Sequence, residues 1–161
     1  MSFGNLIAQE KSIFDIARSG SLAELSAAVK KNPDTINVIN KEGYSPLTLA
    51  CYYSNMEVAK YLINNVKDIN STSGYGTPVM AAAVKGNNEL VKLLLKKGAD
   101  PNITDVNGST ALHFAAVFNM EAMAKILVEA GAKSSLKDNR GKTALDYANI
   151  NGNEKIIQLL K

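Results

Sequence analysis

The sequence has very few of the residues from which catalytic and metal sites are most often built. Its 161 residues include one cysteine, Cys51, and one histidine, His113. A single cysteine cannot form an internal disulfide bond or a cysteine-rich zinc site. A single histidine leaves most histidine-based catalytic and metal arrangements without a second member. Phosphate-binding glycine motifs are missing as well, so we expect no cofactor and no metal.

Long hydrophobic runs and a strong excess of one charge are also missing. No apolar run approaches the roughly 18 residues of a membrane-spanning helix, and residues 1–10 lack the pattern of a signal peptide. The net charge is only +3, so we do not expect the basic surface typical of nucleic-acid-binding proteins. We therefore expect no membrane or nucleic-acid partner. The missing signal and the lone thiol favour a cytoplasmic location.

The rest of the composition is that of an ordinary globular protein. Hydrophobic residues make up 46% of the chain and charged residues 20%, with only four prolines and eleven glycines. These values exclude a disordered or low-complexity chain and favour a single domain over residues 1–161. Seventeen asparagines are present, but their frequency alone predicts no site.

What the sequence does contain is a repeat of about 33 residues. A serine or threonine is followed by proline or alanine, and this second residue falls at positions 46, 78, 111 and 144. Alanine recurs four residues later each time, at Ala50, Ala82, Ala115 and Ala148. A second apolar run then follows, and the same spacing leads back to Ile13 with Ala17 in the alanine place. The sequence thus predicts five units, approximately residues 5–39, 40–71, 72–104, 105–137 and 138–161.

Each unit carries the signals of two short helices. A hydroxyl residue is placed to cap the first helix of units two to five, at Ser45, Thr77, Thr110 and Thr143. Gly86 and Gly152 are placed to end that helix, with Ser54 and Asn119 in the same place in two units. Helices of eight or nine residues are marginal alone in water. We therefore expect them to persist by stacking unit upon unit into a solenoid.

This pattern resembles the ankyrin repeat. The threonine-proline-leucine signature of that family is similar to Thr77-Pro78-Val79 and to Thr110-Ala111-Leu112-His113, and its closing motif to Gly98-Ala99-Asp100-Pro101-Asn102. The resemblance covers roughly residues 13–161. It implies an all-α ankyrin-repeat solenoid of five stacked helix-turn-helix units joined by β-hairpin-like loops.

Three departures from the family pattern predict local differences. Tyr75 stands where other units have glycine, so the hairpin tip of unit three should be reshaped. Asn65-Val66-Lys67 replaces the glycine-alanine end of the second helix in unit two. Only unit four keeps the histidine of the signature, so we expect the repeated hydrogen-bond network through that histidine to be mostly absent.

Two residues invite a chemical interpretation. His113 is either a general base or metal ligand, or a structural histidine that bonds to Thr110 or to a neighbouring carbonyl; we favour the structural role. Cys51 follows the close-packed Ala50, which favours an inert core thiol over a reactive one. Asp100, Asp105 and Asp138 lie in connectors, where aspartate commonly caps turns.

The resemblance also implies where a partner would bind. In ankyrin arrays the hairpin tips and the exposed side of the first helices form a concave groove. The positions carried over are six and seven residues after the proline or alanine, together with the tips. The candidate binding residues are Tyr44, Tyr52, Tyr53, Tyr75, Lys85, Val117, Phe118 and Arg140. Two interpretations stay open: these residues form a partner groove, or most of them pack between units.

We therefore predict a non-enzymatic protein–protein interaction module that binds a partner protein or peptide in this groove. The alternative is a small-molecule-binding or enzymatic protein with a site near His113. We expect a monomer. Weak self-association through the C-terminal unit is a further prediction, because Ile156, Ile157, Leu159 and Leu160 would leave apolar surface there.

Overall fold

The helices of the computed structural model come in pairs. The structure describes residues 9–73 and 76–161, and within these ranges a 3-10 helix over Pro33–Asn37 accompanies the α-helices. The α-helices of the described residues are α1 (Ile13–Ser19), α2 (Leu22–Lys31), α3 (Pro46–Tyr52), α4 (Met56–Asn65), α5 (Pro78–Val84), α6 (Asn88–Lys96), α7 (Ala111–Val117), α8 (Glu121–Glu129), α9 (Ala144–Asn151) and α10 (Glu154–Leu160).

Hydroxyl side chains start the first helices as predicted, with one variation. The hydroxyl of Ser45 accepts a hydrogen bond from the backbone N–H of Thr48 at 3.1 Å, and Thr77 and Thr143 act in the same way on α5 and α9. Thr110 also stands at the N-cap, but its hydroxyl lies 2.9 Å from Nδ1 of His113. A capping bond satisfies one of the N–H groups that the first turn leaves without a partner.

The first helices of units two to five end at one left-handed residue, as the repeat predicts. Ser54, Gly86, Asn119 and Gly152 have φ values of 54°, 69°, 56° and 67°. The second helices of units three and four end at Gly98 and Gly131, with φ of 92° and 89°. The end of α4 differs as expected, because Val66 is extended there with φ of −71°.

The helices form two layers, and contacts pass from each unit to the next. The first helices α1, α3, α5, α7 and α9 contact one another in chain order, and so do the second helices α2, α4, α6, α8 and α10. The core lies along the seams. The five predicted alanines are fully buried between the first helices, where a larger side chain would force the helices apart. A leucine column, Leu62, Leu94, Leu127 and Leu160, runs through the second layer.

Hairpin tips join the units. In units four and five the backbone N–H groups of Asp105 and Asp138 donate to the carbonyl oxygens of Ser109 and Lys142, both at 2.9 Å. In unit three the reciprocal pair is Ser73 and Gly76, with N···O distances of 3.1 and 3.0 Å. That pair is one residue closer in sequence, which confirms the predicted change of this tip. Tyr75 itself lies outside the described residues.

One expectation about the last unit is wrong. Ile156, Ile157 and Leu160 are buried, and Leu159 is half-buried. They face inward because α10 packs on α8 and α9. The apolar surface expected from these residues is therefore mostly covered, and the sequence argument for self-association loses its basis.

Candidate protein-binding groove

The end of each first helix projects side chains away from the core. Tyr52 and Val117 are the last residues of α3 and α7, and Tyr53 and Phe118 follow them directly. Tyr53 is 53% exposed and Phe118 54%, while Tyr52 and Val117 are 43% and 39% exposed. Tyr53 and Phe118 are thus more than half exposed, whereas more than half of the surface of Tyr52 and of Val117 is covered. We call this side of the first helices, together with the hairpin tips, the groove face.

The groove face contains a depression over units one to three, with a volume of about 520 Å³. We call it the tyrosine pocket. Its lining residues are Arg18, Tyr44, Thr48, Leu49, Tyr52, Tyr53, Met80, Ala81 and Val84. Leu49, Met80 and Ala81 are buried, and Tyr44 is half-buried. The pocket thus joins an apolar floor to exposed phenol rings.

Charge and aromatic geometry are combined in the tyrosine pocket. The rings of Tyr52 and Tyr53 meet edge to face, with centroids 5.3 Å apart and an interplanar angle of 71°. Nζ of Lys85, one of the predicted residues, lies 4.8 Å from the centroid of the Tyr52 ring, a favourable cation–π arrangement. Arg18 enters the pocket from α1 and pairs with Asp15 at 3.0 Å.

A second depression of about 340 Å³ lies over units four and five. We call it the phenylalanine pocket. Its lining residues are Asn107, Ser109, His113, Phe114, Val117, Phe118, Asp138, Asn139, Arg140, Tyr147 and Asn151. The rings of Phe114 and Phe118 are stacked, with centroids 6.5 Å apart and an interplanar angle of 12°. Three predicted residues, Val117, Phe118 and Arg140, meet here.

Asp138 is held firmly in the wall of the phenylalanine pocket. Its Oδ1 accepts the backbone N–H groups of Arg140 and Lys142, and its Oδ2 accepts the hydroxyl of Tyr147 at 2.5 Å. The bond from Tyr147, followed by that from the Lys142 N–H, lowers the pKa of Asp138. The same bond to the carboxylate raises the pKa of Tyr147. The carboxylate is thus kept charged and engaged.

His113 has the structural role that the sequence favours. The ring is buried, Nδ1 accepts the N–H of Thr110 at 3.1 Å, and Nε2 lies 3.1 Å from the carbonyl oxygen of Lys142. Because Nδ1 accepts an N–H, the proton is assigned to Nε2, which donates to that carbonyl. Both ring nitrogens are therefore engaged within the fold, and neither is available to a ligand or substrate.

Cys51 and the connector aspartates also have structural roles. Burial raises the pKa of the Cys51 thiol, which makes it inert. Asp100 and Asp105 accept backbone N–H groups within their own turns, as Asp138 does. Within residues 9–73 and 76–161, no cluster of three or more potential metal ligands is found. None of the helices described there has the length and apolarity to cross a membrane.

Sequence reasoning missed one position of the groove face. The residue three places after the repeated proline or alanine also lines the pockets; it is Leu49, Ala81, Phe114 and Tyr147 in units two to five. The repeat contained this information. Residues three and seven places after the repeated proline or alanine are four residues apart, so they lie on the same side of the helix. In contrast, Asn151 lies at a predicted groove position, yet its amide donates to the carbonyl oxygens of Ala116 and Val117, both at 3.0 Å.

The comparisons with known proteins agree with this architecture. The family described as ankyrin repeats (three copies) matches residues 13–105 and residues 79–161. Ankyrin repeat and SAM domain-containing protein 6 of Rattus norvegicus is 31% identical over 110 residues, covering 66% of this chain and 12% of that protein. A putative ankyrin repeat protein of Fowlpox virus is 36% identical over 96 residues, covering 59% and 50%. The chain therefore spans half or less of these two relatives.

Proposed function

The chain belongs to the ankyrin-repeat family, and we propose that it is a non-enzymatic module that binds a partner protein or peptide through its groove face. Ankyrin repeats are generally protein–protein interaction modules and are generally non-enzymatic. The proposal extends this general property to one surface of this chain.

The observation that carries the proposal is the exposure of aromatic residues at equivalent places of two units. The exposed rings are those of Tyr52, Tyr53 and Phe118. They are exposed although the seams between units could bury apolar side chains. Contiguous exposed apolar surface commonly marks an interaction site, and tyrosine is enriched among residues that dominate binding energy. Each ring borders a depression: Tyr52 and Tyr53 border the tyrosine pocket with its apolar floor, and Phe118 borders the more polar phenylalanine pocket.

Most of the proposed binding residues line the two pockets; they are Tyr44, Tyr52, Tyr53, Val117, Phe118 and Arg140. We add Lys85, which lies over the Tyr52 ring, and Tyr75, which the repeat pattern assigns to the hairpin tip of unit three. We propose that the module acts as a cytoplasmic monomer without a cofactor.

Affinity capture with matched variants tests this function. Tyr52, Tyr53 and Phe118 are changed together to serine, and the protein is used to capture partners from a native extract. The control changes three exposed residues of the second helices, Lys92, Lys125 and Gln158, to serine. We expect the groove variant to lose the captured proteins while its far-UV helical signal is unchanged, and the control to retain them. Undiminished capture by the groove variant would show that the groove face is not the binding surface.

A further inference from the structure

The hydrogen bonds between neighbouring units are unevenly distributed along the array. The residue nine places after the repeated proline or alanine is Asn55, Asn87, Met120 and Asn153 in units two to five. The amide groups of the three asparagines donate to the preceding unit, to the carbonyl oxygen of Gly20, Oγ of Ser54 and Oδ1 of Asn119, at 2.9, 3.3 and 3.3 Å. The thioether of Met120 has no hydrogen to donate. The seam between units three and four therefore lacks this bond.

The ion pairs between second helices differ at the same seam. In units two and three, Nζ of Lys60 lies 3.0 Å from Oε1 of Glu89. The equivalent positions in units three and four are Lys92 and Ala122, and alanine has no charge to offer. Among the residues that the structure describes, none of the ion pairs joins α5 or α6 to α7 or α8.

The connector does join units three and four, but it does so at other seams as well. Oδ1 of Asn102 accepts the backbone N–H of Lys133 at 2.8 Å. Oδ1 of Asn37 and of Asn70 accept backbone N–H groups of the following unit in the same way, at 2.9 and 2.8 Å. This bond is therefore common to three seams, and it does not replace the bonds that the helices of units three and four lack.

The packing of the first helices is also weakest at this seam. α5 packs less extensively on α7 than α1 does on α3, α3 on α5, or α7 on α9. Of the second helices, α4 and α6 pack less extensively than α6 and α8, but Lys60 and Glu89 join them. Each seam of a stacked array contributes separately to its stability. The seam between units three and four thus contributes least.

Units four and five are joined much more firmly. The amide of Asn151 donates to two carbonyl oxygens of α7, both at 3.0 Å, and Lys155 pairs with Glu121 at 2.9 Å. At the hairpin tips, the backbone N–H of Asn139 donates to the carbonyl oxygen of Asn107 at 2.9 Å. The buried imidazole described above adds a further bond between these units. Units four and five are therefore held together as one block.

We infer that the array opens at the seam between units three and four, and that units four and five then unfold together. About three stacked repeats are needed to bury a continuous core, so a block of two units does not persist, whereas units one to three still form a stack of three. The tyrosine pocket lies on units one to three and the phenylalanine pocket on units four and five. Opening therefore removes the phenylalanine pocket and leaves the tyrosine pocket intact. This property belongs to the chain itself, whether or not the groove face binds a partner.

Hydrogen exchange of the 161-residue protein, followed by mass spectrometry of peptic fragments, tests the inference. The slowest amides of a helix report the free energy of the opening that exposes them. We expect these amides in α7, α8, α9 and α10 to have protection factors within about threefold of one another, and those in α3 to α6 to be protected about tenfold more strongly or better. Exchange of α9 and α10 about tenfold faster than α7 and α8 would show that the last unit opens alone. Equal protection from α3 to α10 would show that no seam opens separately. Either result overturns the inference.

A variant that repairs the seam locates the opening. Ala122→Glu gives Lys92 the partner that Lys60 has, so protection of α7 to α10 should rise about twofold, as expected for an exposed ion pair. Ala122→Gln is the neutral control and should leave protection unchanged, and adding Lys92→Ala to Ala122→Glu should remove the gain. No gain with Ala122→Glu, or an equal gain with Ala122→Gln, would contradict opening at this seam.

A second variant tests whether units four and five act as one block. Asn151→Ala removes two hydrogen bonds between them, so protection of α9 and α10 should fall about tenfold below that of α7 and α8. Asn149→Ala, at an exposed position of the same helix, is the matched control and should leave the four helices equally protected. Equal protection of the four helices in Asn151→Ala would contradict the joining of units four and five by these bonds.

Discussion

The imidazole of His113 in unit four donates a hydrogen bond across 3.1 Å to the carbonyl oxygen of Lys142 in the hairpin tip of unit five. The other ring nitrogen accepts the N–H of Thr110 at 3.1 Å. One buried side chain thus joins the start of α7 to the hairpin tip of the next unit.

Replacing this histidine should therefore destabilise the protein rather than abolish an activity. His113→Ala leaves a buried N–H and a carbonyl without their partner and opens a cavity, so we expect the free energy of unfolding to fall by about 2–4 kcal/mol. Urea denaturation followed by circular dichroism measures the change. Lys137→Ala, at an exposed connector position, serves as the control. A loss below about 0.5 kcal/mol, the range of ordinary surface changes, would contradict the role assigned to the ring.

Asn102, in the connector after α6, also joins two neighbouring units by hydrogen bonds. Oδ1 of Asn102 accepts the N–H of Lys133 at 2.8 Å, and its amide donates to the carbonyl oxygen of Gly131 at 3.1 Å. Asn102→Ala removes both bonds and should lower the free energy of unfolding by about 1–2 kcal/mol. Thermal and urea unfolding measure this change. Asn149→Ala, at an exposed position of α9, serves as the control. Equal stability of the two variants would be the contrary result.

Two non-glycine residues of the described part of the chain have positive φ, and each predicts a gain in stability on replacement by glycine. Ser54 and Asn119 adopt φ of 54° and 56°, a conformation that costs residues with a Cβ atom free energy. Ser54→Gly should stabilise the protein by about 0.5–1 kcal/mol, and Asn119→Gly by less, because asparagine tolerates this conformation better.

Gly86→Ala is the reciprocal test of the same conformation. A Cβ atom at Gly86 would meet nothing within 4 Å, so any cost comes from its φ of 69°. We expect a loss of about 1 kcal/mol. If all three changes leave the urea midpoint unmoved, the left-handed helix ends are not strained as argued.

The lowered pKa of Asp138 predicts a dependence of stability on acid pH. Because the pKa of this carboxyl is lower in the folded than in the unfolded chain, its contribution is complete above the unfolded value of about 3.9 and is lost as pH falls through the folded value. Asp138→Asn should make the fall in stability between about pH 5 and pH 2 less steep. Glu57→Gln, at an exposed position of α4, should fall as steeply as the wild type. Urea midpoints measured across this pH range test the prediction. A parallel loss of stability in the wild type and both variants would refute the contribution assigned to Asp138.

Groove and core residues should respond differently to truncation. Tyr53 is 53% exposed, whereas Leu94 is fully buried in the leucine column. Tyr53→Ser should cost less than about 0.5 kcal/mol, as is usual for surface positions, and Leu94→Ala about 2–5 kcal/mol. Calorimetry of both variants tests this. A core-sized loss for Tyr53→Ser would mean that this ring stabilises the fold rather than standing available to a partner.

The helices and their ends could be predicted because their signals are local. The hydroxyl groups of Ser45 and Thr77 accept hydrogen bonds from backbone N–H groups three residues later. Gly98 ends α6 because glycine readily adopts the positive φ found there. Such interactions are readable in a short stretch of sequence. The family pattern supplied the stacking, and with it the position of Tyr52 and Phe118.

The contacts between connectors could not be predicted in this way. Asn102 and Lys133 come together only because neighbouring units stack at a particular distance and rotation. The closing motif marks Asn102 as a repeat position, but it does not say which group the side chain binds. The orientation of α10 was misjudged for the same reason: the apolar positions of a short helix do not say which of them the preceding unit covers, and Ile156 and Leu160 proved to be buried. The groove role of Phe114 was missed although its repeat position was available.

Site-specific photo-crosslinking tests the central claim most directly, since it reports which face touches the partner. A photoreactive phenylalanine analogue is placed at Tyr53 or Phe118 on the groove face, or at Lys92 on an exposed side of α6, and the protein is irradiated in native extract. We predict the same partner adduct from Tyr53 and Phe118 and none from Lys92. Adducts from Lys92 alone, or from all three positions equally, would contradict the assignment of the groove face as the binding surface.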